Sequence, residues 1–233
     1  MVNYYTDPED LVCDFLRVHL TDPRARSEAS NSTTTVATAG QTSFTVTPTS
    51  GSVSCVTAVT KNGTALTKWK DYAWDYQNSK IYLATGASLA DSIVITFKYG
   101  SSNWIYADRP DIGLVKLGYP RIEIFSPSGS GVRLGQYDAP VEGSPILQID
   151  VWCKRDQVFT IGLKKYANNY LGRYLGYQVT KSFEENIEDL HPALYNYNPV
   201  SIPRAGPYDE ESQVFHTILE INLRGLKLGR IEY

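Results

Sequence analysis

The sequence predicts an α+β protein: an antiparallel sheet with helices packed on one face, carrying an inserted small all-β, sandwich-like domain. Three observations lead to this. Residues Ala29 to Thr60 hold no charged side chain and are crowded with Thr, Ser, Val and Ala. From there to about Gly100 the chain reads as short strands punctuated by turn residues. An amphipathic helix precedes this region, and a mixture of strands and helices follows it. Residues 1–29 and 103–233 then form one host domain and 30–102 the insert, since helices and strands that run in blocks are the mark of an α+β layer arrangement. With 42% hydrophobic and 20% charged residues, the 233-residue chain has the composition of a globular protein with a real core.

The first element starts at Asp7-Pro8-Glu9-Asp10, where Asp7 can cap, Pro8 suits the first helical position and two acids favour the positive end of the helix dipole. Leu11, Phe15 and Val18, flanked by Val12, Leu16 and His19, give one apolar stripe, and Asp22-Pro23 stops it. In the insert, Phe44 to Thr47, Val53 to Thr60, Tyr72 to Tyr76, Ile81 to Leu83 and Ile93 to Tyr99 read as strands. Lys61-Asn62-Gly63-Thr64 is a hairpin turn, because Asn-Gly accepts positive φ at both central positions. Gly100 to Asn103 marks the exit.

The host resumes with strands at Arg121 to Phe125 and Ile146 to Trp152, separated by a Ser-, Gly- and Pro-rich segment, Ser126 to Gly143, expected as a long loop or flexible hairpin tip. The spacing of Leu163, Ala167, Tyr170 and Tyr174 predicts a helix over Asp156 to Tyr174. A second, shorter helix is expected over Thr180 to Leu190, ended by His191-Pro192. A strand near Leu194 to Ile202 and a long closing strand, Val214 to Leu223, complete the fold. The latter alternates only partly, which predicts cover on both of its faces.

The residues offer little chemistry. Cys13, Cys55 and Cys153 are odd in number and far apart, without disulfide or zinc spacing. His19, His191 and His216 are not accompanied by a Gly-x-Ser-x-Gly elbow. Gly129, Gly131 and Gly135 lack dinucleotide-fingerprint spacing. Glu184, Glu185, Glu188 and Asp189 cluster, but such a run on a helix reads as a solvated face. No catalytic, metal or cofactor site is therefore expected, and the formal charge of -3 gives no basic footprint for nucleic acid. The N-terminus has no signal-peptide pattern and no run reaches the ~18 apolar residues of a membrane span. Tyr72, Trp74 and Tyr76 share one face by alternation. That face is either an aromatic platform for glycans or other surfaces, or the core of the insert.

The host segments resemble the tail terminator, or tail completion, proteins of long-tailed phages and related viruses. The resemblance rests on the helix at Asp7 to Leu20, the strands Tyr119-Pro120-Arg121-Ile122-Glu123-Ile124 and Leu147-Gln148-Ile149-Asp150-Val151-Trp152, a tyrosine-bearing helix and the strand Val214 to Leu223. The insert resembles small β modules of virion proteins through Lys61-Asn62-Gly63, Asp71 to Tyr76 and Ile93 to Tyr99. It departs from the compact family pattern, so no role carries over to it. The resemblance implies a homo-hexameric ring in the virion tail or neck that caps the tail tube at its head-proximal end. Its partners would be copies of itself, the tail tube protein and a head-side connector, with genomic DNA passing the lumen without sequence-specific binding. Residues expected at subunit contacts are Ser128, Gly131, Arg133 and Tyr137 in the Ser126 to Gly143 segment, and Arg224, Leu226, Arg230 and Tyr233 in the tail. The competing expectations are another neck or connector component, a tube subunit, or a glycan-binding β module on an α+β host.

Overall fold

The computed structural model describes residues 8–26, 29–75, 78–100, 103–107, 118–133, 141–155, 157–190, 196–199, 202–206, 208, 210, 213–224 and 226–228. The chain is α+β, with two α-helices among the described residues and mostly antiparallel sheets. Among the described residues it divides into two compact units: Ala25–Asn103, and a second formed by Pro8–Arg24 together with those from Trp104 on.

The first unit is all-β. One sheet has the order β1 (Ala29–Val36), β7 (Ser92–Gly100), β3 (Ser52–Lys61), β4 (Thr64–Ala65). The other has the order β2 (Ser43–Thr45), β6 (Lys80–Leu83), β5 (Tyr72–Asp75). β7 shows why they pack: Ile93, Ile95 and Phe97 are fully buried on one face while Val94, Thr96 and Lys98 on the other are half-buried. They meet Val56 and Val59 of β3 and Phe44, Trp74, Ile81 and Leu83 of the second sheet in one core. The uncharged leading stretch is β1, paired along its length with β7 from Ala29↔Tyr99 to Val36↔Ser92. Its Thr-rich sequence suits a strand that is largely exposed.

The Asn-Gly turn joins β3 to β4 with φ of 51° at Asn62 and 80° at Gly63, as that dipeptide requires. Asn62 also ties the turn to the start of β7. Its side-chain amide donates to Asp91 Oδ1 at 2.7 Å, and its Oδ1 accepts from the Ser92 amide at 2.8 Å. Lys61 Nζ lies 2.9 Å from Asp91 Oδ2, which also accepts from the Ser88 amide at 2.7 Å. Lys61 foremost, then the Asn62 and Ser88 donors, lower the Asp91 pKa to about 2.

In the second unit, α1 (Pro8–His19) buries Leu11, Val12, Phe15 and Leu16. The sheet runs β13 (Asn196–Pro199), β15 (Val214–Arg224), β10 (Val141–Lys154), β9 (Arg121–Arg133), β8 (Ile105–Ala107). β14 (Arg204–Ala205) also pairs with β15, and β16 (Leu226–Leu228) with β10. The edge strand β8 pairs with β9 in parallel, a departure from an all-antiparallel sheet. Arg17 Nε donates to the Ile105 carbonyl at 3.0 Å, and Cys13 Sγ lies 3.6 Å from the same oxygen, so α1 is pinned across β8 by buried polar groups. α2 (Asn168–Asn186) packs on β10 and β15 and meets α1 through Phe15 and Phe183, whose rings stack 4.9 Å apart. Ile122, Ile124, Leu147, Ile149, Val151, Leu219 and Ile221 bury the sheet face beneath the helices.

Three expectations are corrected. The helix expected over Asp156 to Tyr174 is, in its first half, a hairpin of β11 (Val158–Ile161) and β12 (Lys164–Ala167). Gly162, at φ 62°, makes its turn. The two later helices are one: α2 runs through Thr180 and ends in a 3-10 turn, Ile187–Asp189. Thr180 Oγ1 and Ser182 Oγ bond back to the Gly176 and Gln178 carbonyls, so neither hydroxyl breaks the helix. The segment Ser126 to Gly143 is not a loop at its two ends. β9 and β10 stay paired out to Arg133↔Val141, and 134–140 lie outside the described residues. The register shift between Ile146 and Gln148 sets Ser126 and Pro127 opposite Leu147, a bulge that accommodates a proline inside a strand.

Candidate functional site

The sheet of the second unit carries its helices on one face, and the other face holds a ladder of polar side chains. Cross-strand register places Arg121, Trp152 and His216 in one row and Glu123, Asp150 and Ile218 in the next, with Arg204 opposite Ile218. Glu123 and Asp150 would repel as direct neighbours. Each is offset by its own partners. Arg121 Nε sits 2.7 Å from Glu123 Oε1, and Trp152 Nε1 donates to Glu123 Oε2 at 2.9 Å. Gln148 Nε2 donates to Asp150 Oδ1 at 2.8 Å, and His216 Nε2 lies 3.0 Å from the same oxygen. The Arg121–Glu123 contact is an ion pair by distance and His216 approaches Asp150 as closely, both without hydrogen-bond alignment. The Trp152 and His216 rings stack at 3.9 Å and 3°, and the Arg121 guanidinium lies 4.9 Å from the Tyr119 ring centre. Further out, Arg204 pairs with Glu220 at 2.8 Å.

This ladder holds charge in fixed geometry. His216 has one ring nitrogen against Asp150, one ring face on Trp152, and Gly206 so close to Nδ1 that a Cβ there would stand 2.7 Å away. It is a packed residue. His19 lies 3.4 Å from Asp189 and 4.6 Å from the Phe15 ring centre. His191 is outside the described residues. Cys13, Cys55 and Cys153 are buried thiols outside any disulfide. Burial pushes the Cys13 thiol up, Arg17 opposing, and pushes Cys153 up to about 12. Among the described residues no group of three His, Cys, Asp or Glu side chains could hold a metal ion, and no helix is long and apolar enough to cross a membrane.

Of the two readings of the insert's aromatic face, the structure supports the core and not the exposed binding platform. Tyr72 and Trp74 are 4% and 6% exposed and belong to the sandwich core, because β5 lies on β6 with this face turned to the other sheet. Tyr76 lies outside the described residues. Of the residues expected at subunit contacts, Ser128, Gly131 and Arg133 lie in β9. Arg224 closes β15 and Leu226 opens β16. Tyr137, Arg230 and Tyr233 lie outside the described residues.

The β9–β10 hairpin is the long feature of this unit. β15 pairs with β10 over Ile146 to Lys154, and β16 pairs with its outer end, Val141 to Gly143. β8 covers only Ile122 to Ile124 of β9. The outer half of the hairpin is thus a narrow ribbon. The polar ladder gave no signal in the sequence beyond the alternation of Arg121, Glu123 and of Gln148, Asp150, Trp152 against buried aliphatics. No protein-family model matches this chain, and a search of the curated proteins finds no match.

Proposed function

We propose that this chain is a virion structural protein: a ring-forming tail terminator that caps the tail tube at its head-proximal end and joins it to the neck. The observation that supports this reading best is the β9–β10 ribbon, whose β9 edge beyond Ile124 has no described strand beside it. Strand edges of this kind recruit a neighbouring chain by main-chain hydrogen bonds. Identical subunits joined through unlike surfaces close into a ring when the rotation between them closes.

The test is direct. Purified protein, alone and mixed with tail tubes, is imaged in negative stain and weighed by light scattering. Rings, or a monomer that assembles only on tube ends and stops their growth, support the reading. A protein that stays monomeric and leaves tube ends growing overturns it.

A further inference from the structure

The outward side of α2 and the β11–β12 hairpin before it carry an unusual charge order. Residues 157–182 hold Lys164, Lys165, Arg173 and Lys181 and no acid; residues 183–190 hold Glu184, Glu185, Glu188 and Asp189 and no base. All eight are exposed. This order opposes the helix dipole, which favours acids in the first turn and bases in the last; α2 has neither. The arrangement therefore does not serve the isolated helix. Nor do its ends neutralise each other. Arg173 and Glu188 lie fifteen residues apart, roughly 22 Å of helix, well beyond the ~8 Å screening length at physiological salt. Lys181 pairs with Glu185 at 3.7 Å, and Asp189 lies 3.4 Å from His19 of α1.

The basic end also exposes apolar surface. Leu163 at the hairpin turn is fully exposed, and Tyr170 and Tyr177, one face of the helix by their seven-residue spacing, are 69% and 56% exposed. Tyr174 on the same side packs against Tyr166 of β12, their ring centres 4.3 Å apart, so hairpin and helix form one surface.

We propose that this basic, aromatic surface docks head to tail on the acidic C-terminal end of α2 in a second copy of the chain. The complementary surface is already present in equal and opposite charge on the same chain, at the far end of α2 and the 3-10 turn that follows it, which selects a copy of this chain over an unrelated partner. End-to-end approach also brings the negative end of one helix dipole towards the positive end of the next. Tyr170, Tyr177 and Leu163 supply the area that ion pairs alone lack. The inference rests on the ring reading, since unlike surfaces on identical copies close a ring or run on as a filament.

Charge reversal tests it in the full chain. The variant K164E/K165E/R173E makes both ends acidic, and E184K/E185K/E188K makes both basic. Each alone should weaken self-association about tenfold or more, with folding checked by circular dichroism. An equimolar mixture should recover it, because every junction between unlike variants pairs opposite charges. Y170S/Y177S should weaken association at high and low salt alike. Wild-type protein that stays monomeric at the highest attainable concentration, variants that assemble like wild type, or folded variants whose mixture does not recover would each overturn the docking. Filaments or dimers that obey the charge rule keep the docking and remove the ring; rings indifferent to charge reversal do the opposite.

Discussion

Replacing Gly172 by alanine would put a methyl carbon 2.7 Å from Thr217 Oγ1. Gly172 lies inside α2, where alanine is favoured over glycine by about 1 kcal/mol. The gain is opposed by overpacking against a buried strand residue, which costs about 1–3 kcal/mol. Thr217 is 2% exposed and sits on β15 in the middle of the sheet, so it has little room to yield. The expected net is a loss of up to about 2 kcal/mol. The neighbouring atoms supply the control. Thr217 Cβ and Cys153 Sγ would stand 3.7 Å from the new methyl, ordinary contact distances. In a Thr217→Ala background the clash is gone and the propensity gain stands alone, so Gly172→Ala should stabilise by about 1 kcal/mol there. The same substitution changes sign with its neighbour. Urea unfolding read at 222 nm measures it, because both described helices belong to this unit, and a midpoint shift at constant slope reports stability alone. Gly172→Ala that stabilises the wild type as much as it stabilises Thr217→Ala would refute the close approach of α2 to β15.

Trp74→Ala should cost about 3–5 kcal/mol of the β unit's stability in chemical denaturation, as for a core tryptophan; a loss below about 1 kcal/mol would place the side chain at the surface. Glu123→Ala leaves Arg121, whose side chain is 11% exposed, without its carboxylate. It should cost about 3–5 kcal/mol, with Glu123→Gln milder because the amide oxygen can still accept from Trp152; equal effects of the two would refute the Trp152 bond. Asp91, with its folded pKa lowered to about 2, contributes stability that is complete above the unfolded value near 4 and is lost as pH falls towards 2. The stability difference between wild type and Asp91→Asn should therefore shrink over that window, and a difference constant through it would refute the Lys61–Asn62 cradle. All three thiols should resist alkylation in the native protein and react together in denaturant, since Cys13, Cys55 and Cys153 are each at most 3% exposed; a fast-labelling native thiol would contradict the burial.

Elements whose side chains face one core were legible, and those set by backbone pairing were not. α1 carries its stripe of Leu11, Phe15 and Leu16 openly, and β7 alternates over its first six residues. The Asn62-Gly63 turn follows from φ preferences alone. The β11–β12 hairpin was hidden because Leu163, Ala167, Tyr170 and Tyr174 happen to keep helical spacing across a turn and a helix start. Its real signals were the run Val158-Phe159-Thr160-Ile161 and Gly162. The β9–β10 ribbon was hidden for the opposite reason: Pro127, Gly129, Ser130 and Gly131 read as loop, yet strand pairing uses main-chain groups that composition does not record. The polar ladder needed register, which one strand at a time does not reveal. The Tyr72–Trp74 face was recognised as one face, but alternation alone does not say whether that face meets solvent or a second sheet.

The pairing of Ala29 with Tyr99 closes the β unit at its own ends, and this bears on the order in which the chain acquires structure. α1 must find β8, with Arg17 reaching Ile105 across 88 positions of sequence. In an unstructured chain that contact closes a loop of about 85 residues; with the β unit already folded, only about 15 loose residues remain, and the closure entropy falls by about 1.5 kcal/mol. The inserted unit therefore hastens assembly of the domain it interrupts whenever it folds first.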